Sequence, residues 1–415
     1  MCGGDFTARL GQPGHPGFLD AQSRLARLRP GVNPYVTGTA LPGNSPVFAG
    51  RKAALHQILS VLRAPAKPGC VSLLGERRIG KSSLLNQVYE ALGKEPGLVA
   101  IHATAQNWNQ NSQKQFYTGL HRAVAEALGL ADLAAVADYP GLRNFIDGLV
   151  REHNHRLVLI LDEFESLAGN PNFDTDFFYN LRTLGERPEY RFGFLLSSRR
   201  PLKELCRDHD KIEASGFWNI FGTRPVLGLL GEQEAEWLAV EPFAAALGAD
   251  KRAAAETFWR NDAQRLTGRH PALIQMAMSS YCNAVDGEYP LDALEIPMTL
   301  RDYLEDFWYG RGKEELAVLL RCAAGRIPEQ PGYVFADLVQ RGLITPVGEP
   351  FCGFFRQVIS ESLPKGKTLV QAAEDFEKGA ERLAKLFEQM VKVAEAGGKI
   401  YTALKGSNGG KETGA

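Results

Sequence analysis

Cys70-Val71-Ser72-Leu73-Leu74-Gly75-Glu76-Arg77-Arg78-Ile79-Gly80-Lys81-Ser82-Ser83-Leu84-Leu85 is the stretch that decides the fold. A short apolar run of β character meets Gly75, four residues follow, then Gly80-Lys81-Ser82 opens a helical pattern. That is G-x-x-x-x-G-K-[ST] between a strand and a helix, the setting in which the spacing has a physical meaning. Glycines let successive backbone N–H groups turn inward around a phosphate, and the helix N-terminus adds partial positive charge. Gly75, Arg78, Ile79, Gly80, Lys81, Ser82 and Ser83 are therefore expected to bind a nucleotide's phosphates. Lys81 would reach the β- and γ-phosphates, and the Ser82 hydroxyl would ligate Mg²⁺.

Outward from the loop, apolar runs alternate with helical patterns. Strands are expected at 98–103, 157–161, 192–196 and 225–230, with helices at 82–92, 114–128, 142–153 and 173–185. The run Leu157-Val158-Leu159-Ile160-Leu161 does not alternate with polar residues. Such a strand suits a parallel sheet covered on both faces. Alternating strands and helices predict a doubly wound α/β domain over 46–230, and in such sheets ligands gather at the carboxyl ends of the strands. Upstream, 51–63 has the pattern of an amphipathic helix, while 1–45 is rich in Gly, Pro and small residues and predicts a flexible arm with one short helical pattern at 19–28. Downstream, helical patterns at 232–247, 253–266 and 271–286 come without strands between them, which predicts a helical lid subdomain over 231–290.

Residues 291–364 hold helical patterns at 316–322 and 334–342, then a hairpin pairing 343–347 with 351–355. That is the order of a winged helix, and equally of a generic small α+β unit. Over 365–405, Leu369, Ala373, Phe376, Ala380, Leu383, Phe387, Met390 and Ala394 alternate steps of four and three. This heptad stripe predicts one long helix, either self-associating or packed on its own body. Residues 406–415 are expected to be disordered.

Bulk properties limit the field. A chain of 415 residues should hold two or three domains. The net charge of −1 removes the general attraction to nucleic acid that a basic protein has. Six cysteines are scattered without C-x-x-C or metal spacing, as expected for reduced thiols. No apolar run approaches the ~20 residues of a membrane span. Met1-Cys2-Gly3-Gly4-Asp5 lacks the basic and apolar regions of a signal peptide. A cytoplasmic location is the expectation.

Hydrolysis needs more than a phosphate loop. A second acidic group must hold Mg²⁺ or its waters, and a carboxylate must orient and deprotonate the attacking water. Asp162 and Glu163 end the buried 157–161 run and supply both, Asp162 toward the metal and Glu163 as base. An alternative for Asp162 is capping of the following helix. Ser198 and Arg199 end the next strand, where a planar guanidinium could bind γ-phosphate oxygens. Arg200 competes for that role.

These residues together resemble the STAND class of P-loop ATPases, and within it the archaeal-type ATPases and their bacterial relatives, over about 33–290. Asn33-Pro34-Tyr35-Val36 leading to Phe48-Ala49-Gly50-Arg51 resembles the family's "N-P-[FY] … F-x-G-R" segment. The resemblance puts that segment beside the adenine, with Phe48, Gly50 and Arg51 as nucleotide-binding residues. Asp162-Glu163-Phe164 resembles the acidic motif, and Ser198-Arg199 the [ST]-R sensor. Leu227-Gly228-Leu229-Leu230 with Glu234-Ala235 and Leu238 resembles the "L-x-x-L … E-A-x-x-L" approach to the helical subdomain. Thr267-Gly268-Arg269-His270-Pro271 resembles "G-x-P", whose proline, here Pro271, packs near adenine; it carries two residues, Arg269 and His270, where many relatives carry one.

The resemblance implies an ASCE/AAA+-like P-loop fold with ATP or ADP and Mg²⁺ as cofactors. It implies slow ATP hydrolysis, a nucleotide-driven switch that homo-oligomerises, and a protein effector or sensor partner, as in bacterial signalling or defence. The alternative is a DNA-associated AAA+-like ATPase of the origin-loading or transposition-regulator kind. Arg311, Lys313, Arg321, Arg326 and Arg341 favour it, and the balanced charge opposes it.

Overall fold

A computed structural model describes residues 6–377 except 109, 131–135, 287–294, 310, 328–331 and 365. The chain divides into two units, Met1–Arg252 and Ala253–Ala415.

The first unit is built on a six-stranded sheet. Its strands are β1 (Thr7–Leu10), β2 (Cys70–Gly75), β3 (Leu98–Thr104), β4 (Arg156–Asp162), β5 (Phe192–Ser198) and β6 (Val226–Leu227). They lie in the order β1-β3-β4-β5-β2-β6, with β1 antiparallel to β3 and every other pair parallel. The phosphate-loop strand β2 thus has β5 and β6 as neighbours, and β5 separates it from β4. All of β5, and β4 from Leu157 onward, is buried, which is why these runs read as unbroken apolar sequence.

The helices between the strands are delimited by local chemistry. Ser112 and Gln115 form a reciprocal capping box at the start of Gln113–Ala127. Asp138 accepts from the Gly141 N–H at the head of Tyr139–His153, and Asp174 from the Phe177 N–H at the head of Thr175–Glu186. Asn154, in the left-handed region, ends the second of these. One aromatic group, Phe164, Phe178, Phe194, Phe217 and Phe221, is completely buried, with Phe217 and Phe221 centroids 5.1 Å apart in edge contact.

Two strand expectations change. The strand expected at 225–230 is only Val226–Leu227. The arm expected over 1–45 instead contributes β1, which pairs Thr7 with His102 and Leu10 with Val99. Four residues are too few for a periodic signal, and their partner lies about ninety positions away in sequence. Further along, 41–44 is strapped to the Lys81–Leu92 helix. Ser83 Oγ accepts from the Leu41 N–H at 2.9 Å, and Gln87 Oε1 from the Asn44 N–H at 2.7 Å. Arg24, also buried, donates from one nitrogen to both Ser45 O and Phe48 O at 2.7 Å.

The second unit is helical. Its main helices are Pro271–Asp286, Glu295–Tyr309, Lys313–Ala323, Tyr333–Arg341, Gly353–Glu361 and Leu369–Glu377. The pattern expected at 253–266 is interrupted by a π-helical turn, Trp259–Ala263. The expected hairpin reduces to a single antiparallel bridge, Ile344 to Pro350. Its second arm fails as a strand because Cys352 caps a helix that begins at Gly353, its Sγ accepting from the Phe355 N–H at 3.3 Å. Among the described residues this is a helix–helix–bridge order without a two-stranded wing. Of the 369–394 stripe only Leu369–Glu377 is described, as helix; the remainder, and 406–415, lie outside the described residues.

Candidate functional site

Because β2, β5 and β4 are adjacent and parallel, their carboxyl ends bring three segments together: the loop after Gly75, Ser197–Arg199, and Asp162–Glu163. Each is positioned by its strand rather than by a long flexible loop.

The loop is shaped by its backbone. Arg78 and Gly80 lie in the left-handed region, at φ 59° and 100°. A Cβ at Gly75 would sit 2.8 Å from Ile79 Cγ2, so glycine there lets the loop fold back on its own strand. Ile79 is buried beneath the loop and can lend a phosphate only its backbone, while Arg78 is exposed. Lys81 is buried and donates to Gly75 O at 2.8 Å and Glu76 O at 2.9 Å. Burial pulls its pKa down, and Asp162, Glu165 and Glu76 oppose the shift. The ammonium is held inside the loop by two carbonyls that a phosphate could replace. Ser82 is partly exposed, whereas the hydroxyl of buried Ser83 is committed to Leu41. Since that hydroxyl only accepts there, Ser83 keeps for an anion both its O–H proton and its N–H in the first helical turn.

Across the sheet, Asp162 Oδ1 accepts from Ser197 Oγ and, at 3.0 Å, from the Glu163 N–H. Both bonds fall on one oxygen, which leaves Oδ2 for a water of a metal shell. Among the described residues there is no cluster of three or more His, Cys, Asp or Glu that could hold a metal. Ser82 Oγ and Asp162 are the oxygen groups that the expected site would offer a Mg²⁺ keeping most of its own waters. Asp162 does not cap the next helix; Glu163 occupies the cap position of Phe164–Ala168, without a side-chain cap bond. Glu163 sits at φ 55°, a left-handed conformation that is uncommon for a side-chain-bearing residue. Its pKa is raised by burial first, then by the Asp162 and Glu165 carboxylates, against Lys81 and Arg199. A carboxylate with a raised pKa is a better proton acceptor.

The sensor dipeptide divides differently from its sequence reading. Ser198 is buried and donates to Arg200 O at 2.8 Å, and it is Ser197 that reaches Asp162. The Arg199 backbone N–H donates to Glu165 Oε1, and Arg199 Nε lies 3.9 Å from the same oxygen. Arg200 is drawn into an exposed pair with Asp208 at 2.5 Å.

Gly50 and Arg51 are consecutive left-handed residues, φ 62° and 63°. The turn directs the Arg51 guanidinium to Ile79 O at 2.9 Å and Leu229 O at 3.5 Å. It therefore joins the phosphate loop to the chain leaving β6. Burial lowers the Arg51 pKa to about 10 against the opposing charge of Glu234, which itself accepts from the Gly231 N–H at 3.0 Å. Phe48 is buried just before this turn, its ring edge-on to Phe18 at 6.1 Å.

Pro271 belongs to the second unit, where it opens Pro271–Asp286. Just before it, Gly268 (φ 55°) packs so closely that a Cβ would lie 2.4 Å from Phe351 O. The basic residues that favoured DNA are partly neutralised within that unit: Arg341 pairs with Asp337 at 2.6 Å and with Glu315, and Arg326 with Glu374 at 2.6 Å.

Two contributors were missed in the sequence, Ser197 and Glu165. Ser197 sits in a wholly buried strand, where period-2 alternation carries no facing information. Glu165 reads as an ordinary first-turn acid, and only the β4–β5 neighbourhood gives it a partner.

Two family profiles match this chain: "AAA ATPase domain" over 47–196 and "Novel STAND NTPase 2" over 138–304. A search of curated proteins finds no significant match. Among solved structures, the Walker-type ATPase PABY2304 of Pyrococcus abyssi is 12% identical, with a TM-score of 0.50 covering 77% of this chain and 98% of that one. The ORC2 protein of Aeropyrum pernix in its ADPNP–ADP complexes is 16% identical, with a TM-score of 0.46 over 79% and 98%. Drosophila ORC bound to DNA is 16% identical, with a TM-score of 0.46 over 84% and 96%. Among the described residues no helix is long and apolar enough to cross a membrane.

Proposed function

This chain belongs to the STAND-class P-loop ATPases, and from that premise we propose that it is a nucleotide-driven switch that binds ATP with Mg²⁺, hydrolyses it slowly and couples the bound state to oligomerisation. The observation that carries the reading is the linkage of the phosphate loop to its surroundings. Lys81, Asp162, Glu163 and Arg199 stand at the ends of three adjacent strands, and Arg51 ties Ile79 O in the loop to Leu229 O before the Glu232–Leu247 helix.

In this reading Lys81 leaves Gly75 O and Glu76 O for the β- and γ-phosphates. Bound Mg²⁺ would neutralise charge on the phosphate oxygens, held by Ser82 and by waters on Asp162. Glu163 orients the attacking water and takes its proton, and Arg199 meets the γ-phosphate, a contact that only the triphosphate offers. A ligand shifts a conformational equilibrium only through contacts that differ between the two states. Arg199 and the loop carbonyls supply such differences.

The test is size by light scattering after gel filtration, with Mg²⁺ and either ADP or a non-hydrolysable ATP analogue. The switch requires a larger species with the analogue; the same monomer in both nucleotides sinks the switch and leaves the ATPase standing.

A further inference from the structure

We propose that Glu165 is a positioning residue that sets the preference between ADP and ATP, by holding Arg199 until a γ-phosphate competes for it. The inference rests on reading Arg199 as the γ-phosphate contact.

Three observations carry it. First, a single oxygen, Glu165 Oε1, accepts from the Arg199 backbone N–H and lies 3.9 Å from Arg199 Nε. The carboxylate therefore grips both the strand end and the side chain of one residue. Second, the Arg199 side chain is 47% exposed while that of Glu165 is 19% exposed, so the arginine can swing outward about a fixed acid. Third, Glu165 belongs to the charge cluster of the site. Lys81 is influenced by Asp162, Glu165, Glu76 and Arg199, and Glu163 by Asp162, Glu165, Lys81 and Arg199.

The cluster holds four carboxylates, Glu76 included, and two cations. A magnesium-bound triphosphate brings further negative charge and competes with Glu165 for the guanidinium, whose planar fork fits phosphate oxygens bidentately. ADP ends before that point and leaves the pair intact. Every ATP-binding event must then break an ion pair that ADP binding does not, which lowers the affinity for ATP specifically.

The backbone bond allows the two functions of Glu165 to be separated. Glutamine in its place still offers an amide oxygen to the Arg199 N–H but carries no charge to hold the guanidinium. The experiment measures dissociation constants of a fluorescent ADP and a fluorescent non-hydrolysable ATP analogue, with Mg²⁺, for the full chain. Wild type, Glu165→Gln, Arg199→Ala and the double variant are compared. The expected result is that Glu165→Gln tightens the ATP analogue about three- to tenfold, the size of a half-exposed charge pair, and leaves ADP within about twofold. In the Arg199→Ala background the same substitution should change neither nucleotide.

Equal weakening of both nucleotides by Glu165→Gln would reduce Glu165 to a structural role. Tightening that persists without Arg199 overturns the proposed hold. An ATP/ADP ratio unmoved by Arg199→Ala alone removes the sensor reading and the proposal with it. A wild-type chain that binds neither nucleotide removes the whole nucleotide site, an outcome distinct from the other three.

Discussion

Ser197 donates its hydroxyl to Asp162 Oδ1 across the β4–β5 boundary, and no other side chain among the described residues bonds this carboxylate. Both bonds of Asp162 fall on Oδ1, and in the proposed site the second oxygen would face a metal-bound water. Ser197→Ala should cost about 1.5–3 kcal/mol of stability, the range for a hydrogen bond to a charged group. It should also shrink the gain in ATP affinity on adding Mg²⁺. Chemical denaturation and paired titrations with and without EDTA measure the two effects.

Lys81→Ala removes the buried ammonium that bonds Gly75 O and Glu76 O inside the phosphate loop. Nucleotide affinity should fall on the order of 100-fold or more, as for truncation of one partner in a buried, hydrogen-bonded charge pair. Folding stability should move far less, because Gly75 O and Glu76 O lie in a loop that water can reach once the side chain is gone. Calorimetric titration with ADP and a thermal melt distinguish the two outcomes.

Glu163→Gln keeps a group that can orient water but cannot take its proton. Turnover should drop by about 10²- to 10⁴-fold while ATP remains bound. Single-turnover assays with filter-bound ATP provide the check, and loss of binding in this variant would show that Glu163 serves the fold of the site instead.

Arg51→Leu leaves Ile79 O and Leu229 O without their shared donor. Loss of roughly 2–3 kcal/mol of stability is expected, with weaker binding of ADP and ATP alike because the phosphate loop loses its brace. An unchanged ADP affinity would contradict the bracing role.

His121 is buried against Phe145, ring centroids 4.4 Å apart, and burial lowers its pKa below the ordinary imidazole value of 6.5. The unfolded chain therefore binds the proton more readily, so the contribution to stability is present above pH 6.5 and is lost as pH falls through the lowered value. His121→Phe should flatten the dependence of unfolding free energy on pH between about 7 and 5. A variant with the wild-type slope would assign acid sensitivity to other groups.

Much of the first unit was readable because its signals are local. Gly75 to Ser82 names its own turn, and Leu157–Leu161 announces a doubly covered strand by its lack of alternation. What was not readable depends on pairing between distant segments. Thr7–Leu10 has no pattern of its own and becomes a strand only because β3 offers an open edge. The assignment of Ser197 rather than Ser198 to Asp162 required the register of β5 on β4. In the second unit, Phe351–Phe355 has the composition of a strand, but Cys352 followed by Gly353 starts a helix. Capping chemistry overrode β propensity there.

The β1 pairing has a consequence for anyone trimming the molecule. A fragment cut to the 47–196 match would lack Thr7–Leu10 and leave β3 with a bare row of N–H and C=O groups. Such a border is a template on which one chain zips onto the next. It would also expose the helix surface covered by Leu41 and Asn44. Residues 7–44 act as a selvedge: they finish the edge of the fabric and keep the sheet from joining its neighbours.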